Sequence, residues 1–402
     1  APPGRAPKAA TSTNAEQTES LSFGTSWTAV DGLNQLQQPQ QQDTKFVAFD
    51  DSAYRAMAQD VTRTPFFEKA IQERLQQQQP RGDGERLIVL DLGTGPFALF
   101  AVMAAQAGAD CVYALEANPQ AAALARETVQ KAGFDKVITI VEGFSTDIST
   151  LPHGDLADVC IAEIVGSLAS EEGAYATIRD AHAKFLKRPN DASSWIPSRI
   201  QTLAAPASYT LHNLFGPPEF DWNKLAGEPV RFNCRDGGLQ LLSDPVVVED
   251  IVFSELGSSD KKNQQSTTTA TTIIQQDLTF TVNGNRLEEN TYEFLNEYRR
   301  GKLPTKQAET LATQTATSFS GLAFWPRLIL TPDIQVNSRH YPDGAAQKSH
   351  WQTVLPIVKD RPIGGLQGGD EIAVSWQVTL PTNIRQPPRY TITGHVVRHS
   401  TA

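Results

Sequence analysis

Between residues 86 and 165, short apolar runs alternate with helix-like stretches, and this order limits the fold more than any other feature of the chain. RLIVLDL (86–92) stops at Gly93. PFALFAVMAAQAG (96–108) then carries Pro96 near its start and Gly108 at its end, the asymmetry expected of a helix. CVYALEA (111–117) follows, then a helix from Asn118–Pro119 to Gly133, then KVITIVEG (136–143) and ADVCIAEIV (157–165). Such runs are too uniformly apolar to have one wet face, so they belong in a parallel sheet covered by helices on both sides. The β-α-β-α-β order predicts a doubly wound, Rossmann-like sheet with its ligands at the carboxyl ends of the strands.

The second half changes character. VVVEDIVF, DLTFTV, SGLAFWPRLIL, EIAVSWQVTL and RYTITGHVV read as strands separated by turn residues, which predicts an antiparallel barrel or sandwich. The change falls at SSWIPSRI (193–200), and 402 residues exceed what one core usually supports. Two domains are therefore expected, over 43–195 and 196–402, with helical stretches at 212–228 and 286–300. Residues 1–42, rich in Pro, Ser, Thr and Gln without a hydrophobic period, read as a disordered tail.

Composition excludes little. Apolar content of 40% with 20% charged residues is that of an ordinary soluble globular protein. No apolar run is long enough to cross a bilayer and no secretory segment opens the chain, so no membrane partner is expected. Cys111, Cys160 and Cys234 are odd in number and widely spaced, which argues against a disulfide framework or a zinc site and for a reducing compartment. A net charge of −10 disfavours direct nucleic-acid binding and suits basic protein segments.

Two stretches carry chemistry. In VLDLGTGPFALF, Gly93 and Gly95 permit a tight turn at a strand end and close approach of backbone N–H groups to a ligand. A plain strand-to-helix turn and a nicotinamide dinucleotide site are both compatible with it, since Gly93, Gly95 and Ala98 fit G-x-G-x-x-A and Glu116 follows at a ribose-binding distance. Asp91, just before the glycines, tips the balance: it would repel a pyrophosphate but favours S-adenosylmethionine, a sulfonium with a free amino group. In AEIVGSLASEEG (162–173), Glu163 faces a Glu171–Glu172 pair across a short uncharged loop. Carboxylates folded toward one another repel unless a cation lies between them.

With these stretches in view, the chain resembles the protein arginine methyltransferases. AEIVGSLASEEG is similar to their double-glutamate loop, with Glu163 and Glu172 as the pair, or Glu171 in place of Glu172 if the loop register differs by one. AMAQDVTRTPFF (56–67) resembles their N-terminal cofactor-closing helix, KSHWQTVLP (348–356) their threonine-histidine-tryptophan loop with Ser349 in place of threonine, and WIPSRI their entry into the barrel. SFSGLAFWP and SHWQ look closest to the type 7, monomethylating branch. The matches run in order from about residue 46 to 398. One departure stands out: GTGPF has Phe97 where the family usually has a third glycine.

The resemblance implies a Rossmann-like S-adenosylmethionine-dependent domain followed by an antiparallel β-barrel with a helical dimerisation arm at about 212–238. Glu163, Glu172 and His350 would be catalytic: the glutamates grip a substrate guanidinium, and His350 pairs with Asp60, either relaying a proton or fixing the helix over the site. Met57 and Trp351 would shape the substrate pocket. Arg63, Asp91, Gly93, Gly95, Glu116, Ser145 and Thr146 would hold the cofactor, which leaves as S-adenosylhomocysteine, and no metal is implied. Without the resemblance, His350 reads as a structural histidine, and Met57 and Trp351 as core residues. The implied activity is transfer of one methyl group to arginine in basic, Arg/Gly-rich proteins such as RNA-binding proteins or histones. A dimethylating enzyme and a non-catalytic regulatory subunit are the alternatives. A homodimer is implied, in the cytoplasm and also the nucleus.

Overall fold

The computed structural model describes residues 21–29, 51–78, 82, 84–225, 228–233, 236–257, 271–339 and 349–399. Strand β1 (Ser22–Thr28) is followed by helices α1 (Asp51–Ala58) and α2 (Thr64–Gln77). The alternating region gives β2 (Ile88–Leu92), α3 (Leu99–Gln106), β3 (Cys111–Glu116), α4 (Pro119–Lys131), β4 (Ile138–Glu142), β5 (Val159–Ala162), α5 (Ala174–Lys184) and β6 (Trp195–Ile196). Every residue of β2 and β5 is buried, as two-sided covering requires. α4 starts where the sequence says it should: Asn118 accepts from the Gln120 and Ala121 amides, and Pro119 occupies the first turn.

These strands form a parallel sheet in the order β4-β3-β2-β5-β6. The order reverses between β2 and β5, and at such a switch point the loops leaving the two strands diverge and open a crevice. Gly93 leaves β2 there and Glu163 leaves β5, so the topology alone brings the glycine turn beside the double-glutamate loop.

The second half contributes β7 (Arg199–Tyr209), α6 (Thr210–Leu214), β8 (Val230–Asn233), β9 (Leu239–Leu241), β10 (Val246–Val252), β11 (Thr271–Thr281), α7 (Gly284–Arg300), α8 (Thr305–Ala316), β12 (Gly321–Thr331), β13 (Ile334–Asn337), β14 (Gln352–Leu355), β15 (Glu371–Pro381) and β16 (Arg389–Val397). One antiparallel sheet runs β10-β7-β12-β14-β8, with β9 on β7 and β13 on β12; the other runs β1-β16-β15-β11. The expected combination of a Rossmann-like sheet with antiparallel barrel-type sheets is what the chain forms. Between the two antiparallel sheets, Phe324 of β12 meets Trp376 of β15 at 4.8 Å between ring centroids.

Two expectations need correction. The tail expected over 1–42 contains an ordered strand, since β1 pairs with β16 from Ser22↔His395 to Thr28↔Arg389 and buries Phe23 and Trp27. Averaged composition hid two aromatics at strand-like spacing, and their partner lies more than 360 residues away. The rest of that tail is outside the described residues, apart from Leu21 and Ala29 beside the strand. The arm expected as helical over 212–238 holds the end of α6, a 3₁₀ turn at Trp222–Leu225 and β8. Gly216-Pro217-Pro218 supplies the reason: neither proline can donate to a continuing helix, and each disfavours helix in the residue before it. The long helices are instead α7 and α8, paired around Phe294, Tyr298, Ala308, Ala312 and Ala316. No helix among the described residues is long and apolar enough to cross a membrane.

Candidate active site

The glycine turn is built for close approach. Gly93 and Gly95 have φ of 71° and 66°, and a Cβ on Gly93 would lie 2.8 Å from Ile164 Cγ2, in the loop after β5. Asp91, buried in β2, accepts from Thr94 Oγ1 at 2.6 Å with one oxygen, while its Oδ1 has no hydrogen-bond partner among the described residues. Burial pushes this carboxyl up to about 7, against the Thr94 hydrogen bond. Glu116, at the end of β3, accepts from the Gly95 amide at 2.8 Å and the Asn118 amide at 2.8 Å, so it ties the turn to the start of α4. Burial raises its carboxyl despite those bonds. Phe97 is half-buried, with its ring 6.0 Å from the Arg55 guanidinium of α1.

Ser145 and Thr146 lie just after β4, on the same edge of the sheet. Ser145 is buried and its Oγ has no hydrogen-bond partner among the described residues; Thr146 Oγ1 lies 3.4 Å from Asp147. Lys184, from the last turn of α5, donates to the Ser145, Thr146 and Ile148 carbonyls at 3.3–3.4 Å and pairs with Asp180 at 2.7 Å. From the other side Arg385, in the β15–β16 connection, pairs with Asp147 at 2.9 Å and lies over Phe144. Neither cation is visible from sequence alone, because nothing local links them to residues 143–148.

The double-glutamate loop is where charge accumulates. Glu163 is paired with Arg63, whose Nη1 also donates to the Met57 carbonyl at 3.0 Å while its buried Nε has no hydrogen-bond partner among the described residues. The Met57 side chain is half-buried on α1. Glu171 is engaged by Arg231 of β8, which approaches with both terminal nitrogens. Arg231 is a further residue that sequence reading missed. Glu172, next along, has no ion pair or hydrogen bond among the described residues. Its recessed position, followed by the charges of Glu163 and Glu171, pushes its carboxyl up to about 8. Of the two residues left open in the sequence, Glu171 has a cation, as Glu163 does, and Glu172 has none among the described residues.

Asp60, between α1 and α2, collects the loop before β14. It accepts from His350 Nδ1 at 2.7 Å, the His350 amide at 2.8 Å and Ser349 Oγ at 3.3 Å, and from the Thr62 hydroxyl and amide. Trp351 is buried and donates from Nε1 to the Val165 carbonyl at 2.7 Å, so it props the double-glutamate loop. Among the described residues no group of three His, Cys, Asp or Glu side chains is placed to hold a metal ion.

A doubly wound sheet with acidic residues at its carboxyl ends, joined to antiparallel sheets, is the arrangement that the resemblance implies. Residues 27–191 match the family model described as PRMT5 arginine-N-methyltransferase. The chain is 30% identical over 221 residues to protein arginine N-methyltransferase 7 of Gallus gallus, covering 52% of this chain and 30% of that protein. It is 29% identical over 206 residues to protein arginine N-methyltransferase PRMT10 of Arabidopsis thaliana, covering 50% and 51%. The chain thus spans about half or less of the length of these relatives. Among solved structures, a chain of the Trypanosoma brucei PRMT1 enzyme-prozyme heterotetrameric complex with AdoHcy superposes with a TM-score of 0.56 at 14% identity, covering 86% of this chain and 98% of that one. The resemblance to the protein arginine methyltransferases is borne out.

Burial alone would raise the Asp60 carboxyl, but hydrogen bonds from His350 and Thr62 outweigh it and hold it at about 2. With the folded value below the ordinary 3.8, Asp60 contributes stability above about pH 4 that is lost as the pH falls toward 2. The melting-temperature gap between wild type and Asp60→Asn is expected to narrow steadily from pH 5 to pH 2.5. A gap that stays constant over that range contradicts the assignment.

Proposed function

We propose that this protein is an S-adenosylmethionine-dependent arginine N-methyltransferase acting on protein arginines and releasing S-adenosylhomocysteine. The observation that carries the reading is Glu172, a recessed carboxylate beside two others that each already has a guanidinium. A cation is what it lacks. A substrate guanidinium is planar, always charged and able to donate to two carboxylates at once. Glu163 and Glu172 would hold two of its nitrogens and leave electron density on the third, which faces the reacting carbon. Orienting the reactants in this way can supply roughly 7–11 kcal/mol of a displacement barrier.

The residues present fit the cofactor. Asp91 Oδ1, Arg63 Nε and Ser145 Oγ are buried polar atoms without partners, on elements that meet at the carboxyl ends of the strands. Asp91 would accept from the cofactor's ammonium, Arg63 would reach its carboxylate while keeping Glu163, Glu116 would take the ribose hydroxyls, and Ser145 and Thr146 would border the adenine. When bound, the cofactor supplies an electrophilic methyl group. Trp351 fixes the clamp loop through Val165, and Asp60 with His350 holds α1 and α2 over the site, with Met57 beside the reacting centre.

The relatives named protein arginine N-methyltransferase 7 support a monomethyl product. Mass spectrometry of an Arg-Gly-rich peptide incubated with excess cofactor tests this: one methyl that stays at one is expected, and a second would assign the protein to a dimethylating class. No transfer, with the cofactor bound, would favour a non-catalytic subunit. Glu163→Gln is expected to abolish transfer while sparing cofactor binding, because each lost charge-assisted hydrogen bond is worth about 1.5–3 kcal/mol. Near-normal turnover in that variant would remove the clamp.

Glu172 also sets a pH dependence. Its carboxyl, raised from 4.5 to about 8, favours the neutral acid at pH 7, so the folded state loses stability as the pH rises through about 8. A guanidinium binds the ionised form, so peptide binding at pH 7 should release a proton. Calorimetry in two buffers of different ionisation heat should detect that proton in wild type and lose it in Glu172→Gln.

Self-association is proposed through the 211–220 segment, where Leu211, Leu214, Phe215 and Phe220 are 36–50% exposed. Sedimentation at micromolar concentration should show a dimer in wild type and a monomer in Phe215→Glu; a monomeric wild type removes the proposal.

A further inference from the structure

The clamp loop is also held from the side of the antiparallel sheets. Ser170, directly before Glu171–Glu172, is fully buried, and its hydroxyl lies 3.0 Å from the hydroxyl of the equally buried Tyr390 on β16. Tyr390 is in turn covered by Trp27 of β1, stacked with ring centroids 5.3 Å apart and planes 23° apart. Trp27 also lies 6.1 Å from both Trp376 and Phe324, so it closes one end of the aromatic cluster between the two sheets. A second tether, from the Ala169 amide to Thr202 Oγ1 at 2.9 Å and on to Glu249 at 2.6 Å, fixes the neighbouring residue through β7 and β10. The two tethers differ in what they depend on. The second runs from β7 to β10 within one sheet, whereas in the first Tyr390 is backed by the edge strand β1, held by its ladder to β16 and by Phe23 and Trp27.

We propose that strand 22–28 and Tyr390 form a positioning device for the substrate clamp. Docking of Trp27 on Tyr390 holds the tyrosine hydroxyl at Ser170 and so sets the place of the Glu171–Glu172 pair, with Trp27, Tyr390 and Ser170 acting as positioning residues. This rests on the arginine-clamp reading of the same loop. The physical basis is steric and directional. A hydrogen bond weakens steeply as its angle departs from linear, and removing the indole leaves a cavity into which the phenol ring can relax. The cofactor side, built on β2, β3 and β4, has no part in this chain of contacts, so substrate and cofactor binding should separate.

Three variants of the full chain test the proposal, with the constants for an Arg-Gly-rich peptide and for S-adenosylhomocysteine measured separately. Tyr390→Phe keeps the ring and the stack but loses the hydroxyl, and is expected to raise the peptide KM about fivefold to tenfold, as loss of one buried hydrogen bond allows. Cofactor-product affinity should stay within about twofold, since nothing in the chain of contacts touches that side. Trp27→Ala should reproduce the split, and Trp27→Phe should restore most of it. An unchanged peptide KM in Tyr390→Phe overturns the proposal, as does an equal loss of both constants in Trp27→Ala. Amide exchange over 163–173 gives a readout independent of turnover. It should quicken in Tyr390→Phe and Trp27→Ala while residues 88–116 stay protected, and unchanged exchange overturns the proposal even if the wild type transfers no methyl group. A wild type without transfer activity but with that exchange pattern would remove the methyltransferase reading and leave the positioning intact.

Discussion

Three carboxylates within ten residues, Glu163, Glu171 and Glu172, face two guanidiniums, Arg63 and Arg231. This imbalance of charge in a recessed setting is the constraint around which the site is arranged. Each arginine comes from a different part of the fold, one from the turn before α2 and one from β8, so the loop cannot be electrically satisfied until both halves of the chain are folded around it. Removing one partner of such a pair costs more than the pair contributes, because the remaining charge is left desolvated. The third carboxylate has no cation of its own among the described residues, and burial with the two neighbouring charges raises its affinity for a proton.

The same loop is the mechanical junction of the two halves. Trp351 donates to Val165 and Gln352 N to Ser167 Oγ from the segment entering β14; Thr202 reaches Ala169 from β7; Tyr390 reaches Ser170 from β16. Gly166 tolerates no side chain, since a Cβ there would lie 2.7 Å from Glu171 Cβ. A loop held at so many points loses little entropy when substrate arrives, which is the general advantage of preorganisation. Asp60 gathers the serine-histidine pair at the junction of α1 and α2, so these helices and the segment entering β14 share one framework.

Much of this was legible from residues alone. The apolar runs at 88–92, 111–116, 138–142 and 159–162 are strands because their periodicity and bounding turns leave no other stable choice, and the barrel strands β10, β12, β15 and β16 were equally plain. Asp91, Gly93, Gly95 and Glu116 were readable as a group because spacing along a strand-turn-helix unit fixes their geometry locally. Arg231 was not, since it reaches Glu171 across 60 residues of sequence, and Lys184 and Arg385 reach the 143–148 loop in the same non-local way. Composition misjudged residues 22–28, where two aromatics in a polar stretch become a strand only when β16 is there to pair with them.

What the sequence determined by itself is therefore the set of elements and the chemistry of the groups at their ends, because periodicity, turn residues and ionisable side chains act over a few residues. The tertiary structure decided which carboxyl is raised by burial, which arginine pairs with which glutamate, and that Trp27 stacks on Tyr390 behind Ser170. Those outcomes depend on burial and on contacts between remote segments. Desolvation and Coulomb energy are properties of the folded space around a group, and the order of residues does not contain them.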